Sequence, residues 1–165
     1  MPVQRHPIAR SQRQDPLAGL PMDHALIARL RASFEQIRMQ GLRLGEVFYA
    51  KLFAAAPHLR SMFKTDLATQ SDKLIASLDT VVRNLERPEQ NAAMLAALGE
   101  RHAGYGARPE HYTLVVKLLV DSMREVLGPA ADEKGLEEWR TALRLISDQM
   151  IAASAPRAGD TPAQR

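Results

Sequence analysis

The sequence has no cysteine, and aromatic residues make up only 5% of its 165 positions: one tryptophan, three tyrosines and four phenylalanines. Without cysteine there is no disulfide scaffold, no thiolate zinc site and no thiol nucleophile. No apolar run approaches the roughly 20 residues that a membrane span requires, so no membrane partner is expected. The first sixteen residues, Met1 to Pro16, lack the apolar stretch of a secretory leader, and a cytoplasmic location is the expectation. Net charge of one sign is also scarce. The formal value is +3, but the excess lies at the two ends. Arg5, Arg10 and Arg13 outnumber Asp15, and Arg157 and Arg165 outnumber Asp160, so that residues 21–155 sum to zero. Nucleic-acid recognition needs lysine and arginine clustered on a folded surface, so no nucleic-acid partner is expected.

What is present is aliphatic and periodic. Apolar residues account for 45% of the chain, which is long enough to bury one core. Pro57, Pro88, Pro109 and Pro129 are the only prolines between Pro21 and Pro156, and the intervals they leave are helix-sized. No sustained period-two alternation occurs. Stripes at helical spacing run through Leu26, Ile27, Leu30, Phe34 and Ile37, a stripe expected to end at Gly41. Others run through Val47, Phe48, Leu52 and Phe53; Leu74, Leu78, Val81, Val82 and Leu85; Tyr112, Val115, Val116, Leu119, Met123 and Val126; and Leu136, Trp139, Leu143, Ile146 and Met150. The last opens with Asp132 and Glu133, acids suited to a helix N-terminus. The chain reads as all-α: a domain over 21–155 between disordered tails at 1–20 and 156–165, with no internal repeat.

Four residues interrupt the apolar pattern. His102 shares a helical face with Leu95 and Leu98, with Gly104 and Gly106 ending the helix beyond it. It suits either a core histidine bonded to a backbone carbonyl or a neutral imidazole offered to a metal. One histidine cannot hold bare zinc but can hold haem iron, because the porphyrin supplies four donors. Tyr112 lies ten residues on, beyond the turn Gly104–Pro109, placed either as a core tyrosine or to orient the imidazole. Tyr49 lies on a helix with rings on nearly every side (Phe48, Phe53), and its hydroxyl needs a partner. Gln70 precedes Leu74 by one turn, either on the inward stripe or facing solvent at a helix start. Phe63, on a connection, must pack onto something below it.

In this order and spacing the residues resemble a globin over roughly 22–153, and in particular the bacterial single-domain haemoglobins and the haem domain of flavohaemoglobins. The resemblance is carried by Phe48-Tyr49 and Leu52-Phe53, Pro57, Phe63, Gln70 with Leu74, the block from Arg101 to Tyr112, and Trp139. It implies a globin fold, a helical sandwich around one haem b. His102 is then the proximal iron ligand, Tyr49 the distal donor to a gas ligand, and Gln70 its supplement. Leu74, Val115 and Leu119 are apolar neighbours of the cofactor, and Phe63 stacks on the porphyrin. Tyr112 bonds toward the histidine, and Lys73, Arg101 and Arg108 suit the propionates, although a solvated charge explains each equally well.

Two departures accompany the resemblance. The family's proximal network ends in a glutamate whose place falls near Ser154, and the stretch from Phe63 to Gln70 is about three residues shorter than in flavohaemoglobins. No Gly-x-Gly-x-x-Gly fingerprint is present, so electrons for turnover are expected from a separate reductase. The implied function is binding of oxygen and other diatomic gases, with nitric oxide detoxification (a dioxygenase activity) if such a reductase exists. A haem-based sensor acting through a partner in trans, and a cofactor-free helical adaptor, are the alternatives. A homodimer is compatible with the resemblance, though no residue specifies it.

Overall fold

A computed structural model describes residues 22–155, and the expected tails at 1–20 and 156–165 lie outside the described residues. Among the described residues the secondary structure is helical throughout: α1 His24–Arg38, α2 Gly41–Ala55, a 3-10 turn Pro57–Met62, α3 Leu67–Arg83, α4 Pro88–Gly104, α5 Pro109–Leu127, a short 3-10 turn Gly128–Ala130 and α6 Glu133–Ser154. No described helix is long and apolar enough to cross a membrane.

The prolines act as helix starts. Pro88 and Pro109 are the first residues of α4 and α5, where the missing N–H has no intrahelical partner to lose. Asp23, Asp66 and Asp132 cap α1, α3 and α6, each carboxylate accepting a backbone N–H three residues on. One boundary differs from the sequence expectation. Gly41 does not end the first helix: α1 stops at Arg38, and Gly41 opens α2. The physical reason is proximity, since a Cβ at Gly41 would sit 3.0 Å from Ile75 Cγ1 of α3.

α2 packs on α3 and α5, α5 on α6, and α6 on α4, while α1 crosses α3, α5 and α6. Neighbours therefore run α3, α2, α5, α6, α4. The consecutive helices α3 and α4 meet near their connecting turn, where Val81, Leu85 and Leu95 join a small apolar cluster with Met150. They do not form a packed pair along their lengths, which is unusual for sequence neighbours. The main core fills the space among α1, α2, α5 and α6 and includes Leu30, Phe34, Ile37, Leu44, Val120, Met123 and Trp139.

Two crossings are closer than a side chain allows. A Cβ on Gly45 of α2 would lie 1.9 Å from Ser71 Oγ of α3, and one on Gly99 of α4 would lie 2.2 Å from the Met150 carbonyl oxygen of α6. Only glycine permits such approaches. The second crossing fastens the helix that carries His102 directly to the backbone of α6.

Candidate functional site

Helices α3 and α4 do not pack on each other along their lengths, and the residues expected at the site are carried by α2 (Tyr49), α3 (Gln70, Leu74), α4 (His102) and α5 (Tyr112, Val115), on either side of the gap between α3 and α4. On the α2 side, Tyr49 is buried (4% exposed). Its ring lies 5.0 Å from Phe48, 5.9 Å from Phe53 and 5.4 Å from Phe63, centroid to centroid. Phe63 thus finds, from the connection after the 3-10 turn, the aromatic support expected of it. Burial among these rings pushes the Tyr49 hydroxyl up to about 12, because the phenolate would be poorly solvated there. The group remains a neutral donor at any physiological pH. Its oxygen lies 3.5 Å from the backbone carbonyl of Gln70, a long and weak contact. The Gln70 side chain turns elsewhere: Nε2 donates to Thr65 Oγ1 at 2.5 Å. Gln70 and Leu74 are both half-buried on α3.

On the α4 side, His102 is half-buried, and its Nδ1 lies 2.8 Å from the carbonyl oxygen of Leu98, one turn back. A carbonyl only accepts, so the neutral ring carries its proton on Nδ1 and keeps a lone pair on Nε2, which points away from the α4 backbone. The Tyr112 ring lies 6.1 Å from the imidazole, but its hydroxyl does not bond toward it. The Tyr112 oxygen is buried with no hydrogen-bond partner, and Leu98 occupies the imidazole nitrogen that the hydroxyl was expected to orient. Burial also raises the Tyr112 hydroxyl above its ordinary value. Ser154, where the glutamate was expected to be missing, donates back to the Ile151 carbonyl at 2.9 Å.

Of the two α5 residues expected to face a cofactor, Val115 is half-buried, whereas Leu119 is 3% exposed. Leu119 belongs to the main core, because α5 is covered there by both α2 and α6. Tyr105 lies 6.4 Å from His102 but is 65% exposed, so it stands outside the gap. Lys73, Arg101 and Arg108 are exposed, Arg108 within 4.0 Å of Glu110. Sequence reasoning missed Thr65, and it offered a backbone carbonyl for His102 without saying that it is the one of Leu98. Helix geometry could have supplied Leu98, since a histidine facing back along its helix meets the carbonyl four residues earlier. Thr65, before a helix cap, carries no signal of its own.

A family model for globins matches residues 46–150, and the chain belongs to the globin family. A flavohemoprotein of Rhizobium meliloti is 30% identical over 122 residues, 72% of this chain and 30% of that protein. One from Chromobacterium violaceum is 28% identical over 134 residues, 79% of this chain and 33% of that protein. The chain thus spans about a third of the length of these curated relatives. Among solved structures, an engineered carbene transferase from Rhodothermus marinus superposes with TM-score 0.71 at 26% identity, covering 80% of this chain and 92% of that one. A bacterial globin of Campylobacter jejuni has TM-score 0.71 at 21% identity, covering 80% and 96%, and shares the fold.

Haem b is the cofactor of this family, and the residues present suit it. Among the described residues no three or more His, Asp or Glu converge as a cage for a bare ion. The single neutral imidazole with a free Nε2 suits a metal whose other donors come from a macrocycle. Phe63, Leu74, Leu98 and Val115 are half-buried apolar side chains on different elements bordering one gap. A flat apolar ligand would cover them.

Proposed function

We propose that this haem globin binds a diatomic gas, oxygen first, on the side of the gap that Tyr49 occupies. The observation that carries this reading is the buried Tyr49 hydroxyl, held protonated and lacking a strong partner of its own. Haem iron, when bound, supplies an open coordination position for the gas. His102 would hold the iron through Nε2, with the Leu98 carbonyl fixing the ring's orientation. Tyr49 donates a hydrogen bond to the gas and slows its release; such a bond to a partly charged acceptor contributes about 1.5–3 kcal/mol. Phe63, Leu74 and Val115 keep water from the site, Gln70 supplements Tyr49, and Lys73, Arg101 and Arg108 suit the propionates at the rim. Tyr112 would back the cofactor from α5.

Nitric oxide dioxygenation is the finer reading, supported by the flavohemoprotein relatives, with electrons drawn from a reductase in trans. Stopped-flow mixing of the oxygen-loaded protein with nitric oxide tests it. Rapid stoichiometric nitrate formation is the expected result, and slow conversion without nitrate would leave oxygen binding alone.

A further inference from the structure

The carboxamide of Gln70 is already engaged. It ends on Thr65 Oγ1 at 2.5 Å, five residues upstream, while Tyr49 meets only the Gln70 backbone. Both ends of this contact are held by a rigid element. Asp66, between them, caps α3 by accepting from Thr69 N at 2.9 Å and from Thr69 Oγ1 at 2.8 Å, and these bonds hold its carboxyl below the usual aspartate range. Thr65 therefore stands immediately before a fixed cap, and Gln70 lies in the first turn behind it. Both side chains are half-buried, so water competes with the bond only in part.

We propose that Thr65 is a positioning residue: its hydroxyl tethers the Gln70 carboxamide at the start of α3 and so leaves Tyr49 as the foremost donor to a ligand in the gap. The tether is tolerant of polarity. A hydroxyl both donates and accepts, so Thr65 holds the amide through either Nε2 or Oε1. The amide atom left over turns toward the gap, as a donor or as an acceptor, without the group changing place. Removing the hydroxyl releases the carboxamide to more than one position. The short stretch from Phe63 to Asp66 brings Thr65 within reach, and so links connection length to the polarity of the gap.

The inference rests on the gas-binding reading, and the test separates the two. The haem-loaded full chain is saturated with carbon monoxide, and its C–O stretching band is recorded for wild type, Thr65→Val, Thr65→Ser and the double variant Thr65→Val/Gln70→Leu. A wild-type chain that shows no Soret band with haemin ends the gas-binding reading itself, and the tether with it. Given haem uptake, wild type and Thr65→Ser show one narrow band, Thr65→Val splits or broadens it, and the double variant returns to a single band. A Thr65→Val band identical to wild type overturns the tether. So does a Thr65→Ser band that splits like that of Thr65→Val, or a split that persists in the double variant.

Discussion

The two sides of the α3–α4 gap are built on opposite plans. On the side of α2, the polar side chains are chained to one another: Tyr49 to the Gln70 backbone, Gln70 to Thr65, all under a lid of phenylalanines. On the side of α4 the surroundings are aliphatic, and two buried polar atoms have no partner, the Tyr112 hydroxyl and Asn91 Oδ1. His102 there has a single neutral hydrogen-bond acceptor, the Leu98 carbonyl. An unsatisfied buried polar group costs about 1–3 kcal/mol. The first side is ordered by hydrogen bonds and the second is held together by packing. A carbonyl partner polarises the imidazole less than a carboxylate would, which suits the proposed role of holding a gas better than one of cleaving it.

The contrast can be broken by five measurements at four residues. His102→Ala removes the only iron donor on the packed side and should abolish the Soret band after haemin addition; an unchanged band would refute its role. Gly99→Ala drives a methyl into the Met150 backbone and should lower stability by about 1–3 kcal/mol, read as a fall in the unfolding midpoint. Tyr49→Phe should raise the oxygen release rate by well over tenfold, about 1.4 kcal/mol or more. The matching Tyr112→Phe on the opposite side removes a hydroxyl with no partner, so it should leave stability unchanged or raise it by about 1 kcal/mol. A large loss in that variant would mean the two sides are not distinct.

The smallest effect is a pH dependence. The Tyr49 hydroxyl titrates at about 12 in the fold against 10.0 for an unperturbed tyrosine. The folded chain therefore keeps a proton that the unfolded chain releases. Stability attributable to Tyr49 is complete below about 10 and declines as pH rises toward about 12. Urea unfolding across that range should show the decline in wild type and a shallower one in Tyr49→Phe.

Much of this architecture was legible in the residues. Four internal prolines outline the helices, and the stripes through Phe34, Val116 and Trp139 name the core that the structure buries. What escaped was short-range geometry. Gly41 reads as a stop by its type, yet it opens a helix, and glycine suits the position because Ile75, far along the chain, lies where its Cβ would be. The partners of His102 and Gln70 are chosen by rotamers. Periodicity places both residues on the right faces but does not say that one turns to Leu98 and the other to Thr65. Leu119 shows the same limit: its spacing is helical, but α2 and α6 cover it and place it in the main core.

The contact between Gly99 and Met150 has a mechanical consequence. His102 lies three residues beyond Gly99 on the same rigid rod, so its height is gauged by the backbone of α6 as well as by the side chains of Leu95, Leu98, Ile146 and Met150 packed beside it. Sliding α4 along α6 would carry the carbonyl of Met150 into a neighbouring side chain, since only position 99 has the room. A shift of α6 at Met150 would therefore be passed to α4 at Gly99, one turn from the imidazole, so the last helix of the described chain acts as a stop for the helix that carries His102.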